Sequence, residues 1–213
     1  MKNLKGILIS LEGGEGGGKT TQTILLKEKL EQAGREVVAV REPGGTVISE
    51  QIREVVLSSK NQGITDLTEV LLFQAARAQI YQEVVIPALK AGKVVIMDRT
   101  RDSSVVYQGL VRGVGRSKIE KLNDISTQKT VPHLTLLLDV SVKTGLARRA
   151  DSGKMDRLDL EAADFHQQVR TAYLTLAKED QTGRWRIINA EKNVDQVAKA
   201  LWKEVKAKID DLV

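Results

Sequence analysis

The chain has 213 residues, 41% of them hydrophobic and 29% charged, which suits one domain with a sizeable core and excludes an intrinsically disordered chain. It contains no cysteine, which excludes disulfides and thiolate metal sites, and no apolar run approaches the roughly 20 residues that span a bilayer. The net charge of +5 suits nucleic acid or a small anionic ligand; basic residues interleaved with acids and only 3% aromatics favour the small anion over a base-stacking surface.

Gly6 to Leu11 reads as a buried strand entered almost at once, without signal-peptide design, so a cytoplasmic protein is expected. Lys19 to Ala33 has helical spacing with Gly34 as a stop, and Glu36 to Val40 is a second strand. Val47 to Leu57 and Leu67 to Ala91 read as helices, and Lys93 to Met97 as a β-branched third strand. Ser117 to Lys129 is helical and Leu134 to Val140 is a fourth strand. Helices over Val142–Arg149 and Leu160–Ala177, a short strand Arg186–Ile188 and a helix Val194–Ile209 complete the chain. Strands alternating with helices predict an α/β fold of three layers, with a five-stranded parallel sheet and helices on both faces, in one domain over 1–213. Gly109–Arg116 and Ala150–Arg157 are the least regular stretches; the second is polar and charged, which suits a lid over about 147–158.

Gly13-Gly14-Glu15-Gly16-Gly17-Gly18-Lys19-Thr20 matches the phosphate-loop (P-loop) pattern, and Thr21 follows it. A strand precedes it and an amphipathic helix follows, as the pattern requires. Glycines let backbone N–H groups wrap a triphosphate, and the helix start adds a positive dipole end. Lys19 supplies a point charge for the β- and γ-phosphates and Thr20 a hydroxyl for Mg²⁺. The loop implies ATP or a similar donor in a P-loop NTPase-type fold, and leaves open what happens to the phosphate.

A kinase acting on a phosphorylated acceptor also needs arginine forks for the second anion. Arg41 and Arg99 follow the second and third strands, where open parallel sheets bind ligands, and Arg53 and Arg77 lie in the helices between. Asp98 either holds Mg²⁺ through water or pairs with Lys19 or Arg99.

Six stretches in order make the chain resemble the thymidylate kinases from end to end. They are Leu11 through Gln22, Arg41-Glu42-Pro43-Gly44-Gly45-Thr46, Leu72-Phe73 with Arg77-Ala78-Gln79, Asp98-Arg99, Asp102-Ser103-Ser104 with Tyr107-Gln108-Gly109, and Asp156-Arg157-Leu158-Asp159 with Phe165. The resemblance implies transfer of the γ-phosphate of ATP to dTMP, with Mg²⁺. It implies an acceptor region over about 41–109, where Glu42 and Pro43 shape the wall. Arg77 and Arg99 hold the dTMP phosphate with Arg53 nearby, and Phe73 stacks on thymine. Ser104 and Gln108 face the base edge, Tyr107 crowds the 2′ position, and Glu15 sits beside the acceptor sugar or the metal waters. It also implies a homodimer and no nucleic-acid or membrane partner. Another nucleoside monophosphate kinase, a deoxynucleoside kinase and a nucleotide-binding regulatory switch are the competing readings.

Some family members carry a catalytic arginine in the phosphate loop; Glu15, Gly16 and Gly17 stand there in this chain. The expectation is that Arg149 or Arg157 in the lid supplies that charge, with Arg148 beside them. Thr100 after Asp98-Arg99 and Ala76 before Arg77 depart from the family pattern and are expected to loosen the acceptor pocket. His133 and His166 are isolated and read as structural.

Overall fold

The computed structural model describes residues 5–151, 153 and 156–212. The five predicted strands are all present: β1 (Ile7–Glu12), β2 (Val37–Arg41), β3 (Val94–Asp98), β4 (Leu134–Asp139) and β5 (Trp185–Asn189). They form one parallel sheet in the order β2-β3-β1-β4-β5. Side chains alternate across a strand, so each strand feeds two cores. Ile9, Leu11, Ile96 and Leu136 pack on one face against Leu26 and Leu30 of α1 (Lys19–Gln32) and Leu201 and Val205 of α9 (Val194–Leu212). Leu8, Val95 and Met97 face the other way, onto Ile80, Tyr81 and Leu89. Three layers follow, as the alternation of elements predicts.

That second face is covered by α2 (Val47–Leu57), α3 (Asp66–Ile80), α4 (Ile86–Lys90), α5 (Arg101–Ser104), α6 (Arg116–Ser126) and α8 (Ala163–Glu179). The helix expected over Leu67–Ala91 is interrupted by a π-helical segment at Tyr81–Val85. α5 continues into a second π-helical segment, Val105–Val111, where no helix is predicted. Serines, two adjacent valines and Gly109 give this stretch poor helix propensity; burial of Val105, Val106 and Tyr107 overrides it. α6 ends three residues earlier than expected, and Gln128 and Lys129 then adopt positive φ. α7 (Val142–Asp151) runs two residues into the stretch expected to be irregular. Of the expected lid, residues 152, 154 and 155 lie outside the described residues.

Candidate active site

The parallel register carries the site. Leu11 of β1 and Arg41 of β2 both pair with Asp98 of β3, so the carboxyl ends of three strands converge at one edge of the sheet. The loop after β1 turns there into α1, whose N-cap Gly18 takes a left-handed conformation at φ 84. Lys19 folds back over the loop and donates from Nζ to the carbonyls of Gly13 (3.1 Å) and Gly14 (2.8 Å). Burial and the neighbouring Arg99 lower its pKa to about 8, against the partial support of Glu15, Asp98 and Glu12. Thr20 donates from Oγ1 to Asp98 Oδ2 at 2.6 Å. Asp98 thus meets the helix hydroxyl, a partner that sequence reasoning did not name.

Arg99 stands on left-handed backbone at φ 67, unusual for a residue with a side chain. The turn is held from below by Glu12, which is fully buried and accepts from the Thr100 N–H (2.9 Å), Ser103 Oγ (2.6 Å) and Tyr173 OH (2.9 Å). Burial, then the nearby Asp102, raise Glu12 to about 7. Arg99 in turn donates to Gly13 O (2.9 Å) and to Glu15 Oε1 (2.7 Å). Tyr107 donates to the same Glu15 oxygen at 2.8 Å. Burial pushes Glu15 up, but Arg99, Lys19 and the Tyr107 hydroxyl outweigh it and bring the carboxyl to about 2. It stays ionised at any working pH.

These groups line one cleft of ≈ 600 Å³. Glu15, Gly16, Gly17, Gly18, Lys19, Thr20 and Thr21 form its donor floor. Glu42, Pro43, Arg53, Phe73, Arg77, Ser104, Tyr107 and Gln108 form the opposite wall, with Asp98 and Arg99 between. Arg149 lines it from α7. Gly13 and Gly14 contribute through the carbonyls that hold Lys19 and Arg99.

Two arginines sit differently from the expectation. Arg77 is 1% exposed and makes four hydrogen bonds to neighbouring groups, beside an ion pair with Glu42. Nε and Nη2 reach Glu42 Oε2 at 2.7 Å, Nη1 reaches Ser104 Oγ and Asn123 Oδ1, and Nη2 also reaches Thr100 O. It braces the wall, and in this geometry its hydrogen bonds go to the protein. Arg157 does not reach the cleft. Its Nη2 pairs with buried Glu69 at 2.5 Å and its Nε donates to Val56 O, because the turn at 157–160 directs it toward α2 and α3. Arg53, by contrast, gives only one hydrogen bond among the described residues, to Pro43 O at 2.7 Å, and faces the cleft. Arg41 is held at the rim by Glu50, 2.8 Å away.

Thr100 and Ala76 both lie behind the wall. Thr100 is 0% exposed and joins Tyr81 OH (2.8 Å) to Glu42 Oε1 (3.3 Å). The Ala76 carbonyl accepts from Ser49. His133 Nδ1 accepts from Leu8 N–H while the His133 main-chain N–H donates to Leu8 O, a clamp at the other end of the sheet. His166 is buried edge-on against Phe165.

Sequence reasoning missed the far end of the cleft. Arg148 donates to Ala190 O at 2.9 Å, and Ala190, Lys192, Asn193 and Val194 line a recess beside it. The only sequence signal for this recess is position, since the segment follows the carboxyl end of β5. Leu57 and Leu158 line the acceptor side next to Phe73 and were also missed.

The family model described as thymidylate kinase matches residues 11–201. A thymidylate kinase of Pelobacter propionicus is 44% identical over 206 residues, covering 94% of each chain. One of Citrifermentans bemidjiense is 49% identical over 178 residues, 81% of this chain and 79% of that one. The crystal structure of thymidylate kinase from Ehrlichia chaffeensis superposes with a TM-score of 0.76 at 31% identity, covering 94% of this chain and 98% of the other.

Proposed function

Since the chain belongs to the thymidylate kinase family, we infer that it transfers the γ-phosphoryl group of ATP to dTMP, giving dTDP and ADP. The observation that carries this reading is the single cleft in which the phosphate loop faces an acceptor wall containing Phe73, Tyr107 and Arg99. A hydrolytic switch needs no such wall. The attacking atom is an anionic phosphate oxygen of dTMP, so no general base is required. The bond from γ-phosphorus to the β-bridging oxygen breaks as the bond to the acceptor oxygen forms, and the protein contributes placement and charge.

Lys19 releases its two loop carbonyls to meet the β- and γ-phosphates. Arg99 and Arg53 receive the acceptor phosphate, with Arg41 at the rim. Phe73 stacks on the base against Leu57 and Leu158, and Ser104 and Gln108 stand at the base edge. The Tyr107 and Glu15 pair fills the place that a ribose 2′-hydroxyl would occupy and presents a carboxylate to the deoxyribose. Arg149, on the donor side, stabilises charge on the γ-phosphoryl group in flight. The Arg148 and Ala190–Val194 recess takes the donor base.

The reaction uses Mg²⁺. The donor set fits it: a hydroxyl and a carboxylate oxygen 2.6 Å apart at the mouth of the phosphate loop supply the one or two protein contacts that this ion takes beside phosphates and water. Thr20 and Asp98 would hold it, and it supplies charge neutralisation between the β- and γ-phosphates.

The protein acts in the cytoplasm as a homodimer. Among the described residues no helix is long and apolar enough to cross a membrane. Val55 of α2, Leu67 and Leu71 of α3 and Ile125 of α6 are exposed on neighbouring helices, and an apolar face of this kind is covered when two copies meet.

Steady-state assays with MgATP and a panel of acceptors test the assignment. dTMP is expected to exceed UMP and ribo-TMP in kcat/KM by at least tenfold. Equal use of ribonucleotides would shift the activity to a broader nucleoside monophosphate kinase.

A further inference from the structure

Glu69 lies in the first turn of α3, one turn before Phe73, and is 1% exposed. Its two oxygens serve different parts of the molecule. Oε1 accepts from Gln108 Nε2 at 2.8 Å, and Oε2 accepts from Arg157 Nη2 at 2.5 Å. Gln108 belongs to the acceptor wall. Arg157 belongs to the short turn that also holds Arg149, and its main-chain N–H is tied to Leu57 O at 3.0 Å.

That turn is braced internally. Asp156 Oδ1 accepts from the N–H groups of Leu158 (2.9 Å) and Asp159 (3.3 Å), and Asp159 Oδ2 accepts from the Asp156 N–H (2.7 Å). Its side chains diverge. Leu158 lines the cleft beside Phe73, and Arg157 enters the core to meet Glu69. Asp159 holds the Arg149 guanidinium at 2.7 Å, with Asp156 at 3.3 Å. A braced turn moves as a unit, because packed interiors do not deform continuously. The side chains that feel the acceptor base and those that place Arg149 are therefore rigidly joined.

We propose that Glu69 is a positioning residue that couples acceptor occupancy at Gln108 and Phe73 to the placement of Arg149, through Arg157 and the turn at 156–159. Acceptor binding thereby favours the donor-side geometry that supports transfer, and ATP alone meets Arg149 out of place. The proposal rests on the assignment of Gln108 and Phe73 to the acceptor. A carboxylate that served the fold alone would make the same contacts and produce no coupling between ligands.

The test measures dTMP affinity by calorimetry with and without a non-hydrolysable MgATP analogue. Wild type is compared with Glu69→Gln and with Glu69→Gln/Arg157→Met. The double variant leaves no buried charge unpaired, so its fold is preserved. In wild type the analogue is expected to tighten dTMP about tenfold, and in both variants that ratio is expected to fall to about one. ATP hydrolysis without acceptor, divided by transfer with acceptor, is expected to rise about tenfold in both. Binding of dTMP to wild type without coupling, or undiminished coupling in a folded variant, overturns the proposal and leaves the substrate assignment standing. Failure of dTMP to bind wild type overturns both. Amide exchange in wild type gives a readout free of substitutions: dTMP alone is expected to slow exchange at Arg157–Asp159 at least fivefold, and no change there overturns the proposal.

Discussion

Gly16 of the phosphate loop and Gly145 of α7 meet backbone to backbone. A Cβ on Gly16 would overlap the Gly145 carbonyl, and one on Gly145 would overlap the carbonyl oxygen of Glu15. α7 is thus seated directly on the loop, and it carries Arg148 and Arg149 two turns or less from that seat. Gly145→Ala is expected to push the loop or the helix aside and lower kcat at least tenfold, with the fold retained. Normal turnover in this variant would show that the seat is not needed for catalysis.

Arg149 and Arg157 separate by where their partners lie. Arg149 faces the cleft, so Arg149→Ala is expected to lower kcat about a hundredfold, roughly 3 kcal/mol of transition-state stabilisation, with dTMP KM within threefold. Arg157→Ala instead takes from buried Glu69 its nearest cation and leaves it Arg112 at 3.7 Å, and up to about 3–5 kcal/mol of stability is expected to go with it. Thermal melts beside steady-state kinetics distinguish the two. Unchanged kcat in Arg149→Ala would move the catalytic charge to Arg99.

Lys19 loses its proton near pH 8 in the free enzyme, because burial and Arg99 disfavour the charge. A bound triphosphate supplies opposite charge and lifts that pKa. The kcat/KM for ATP is therefore expected to fall above about pH 8, while kcat holds to higher pH. A kcat/KM flat through pH 9.5 contradicts this. Lys19→Ala is expected to abolish transfer and to leave the fold intact.

Glu12 is raised from 4.5 to about 7, by burial first and Asp102 second, with Ser103, Arg99 and Thr100 acting against them. Its folded pKa lies above the unfolded value, so the folded state binds more protons between these limits. The stability that its protonated form contributes is full below about pH 4.5 and is lost as pH rises to about 7. Glu12→Gln is expected to remove this slope and to raise Tm relative to wild type at pH 8 more than at pH 5, by up to about 3 kcal/mol of stability. Equal Tm differences at both pH values would mean that Glu12 does not titrate in this window.

Local chemistry made much of this molecule legible from the chain alone. The five strands follow from short apolar runs of the right length, and the phosphate loop from glycine spacing between a strand and a helix, both of which act over a few residues. Phe73 and Arg77 stand four residues apart in α3, on one helix face, and both line the cleft. The helical segment 101–111 was not legible, because its stability comes from burial against α8 and α6 and not from its own residues. Nor was the difference between arginines. Arg53, Arg77, Arg149 and Arg157 carry the same charge and each has its place in the pattern, but a guanidinium's task depends on which acceptors already occupy its five donors. Those acceptors, Asn123 and Glu42 for Arg77 and Glu69 for Arg157, lie 35 to 88 residues away in the chain, and only the packing of α3, α6 and the turn at 157–160 brings them together.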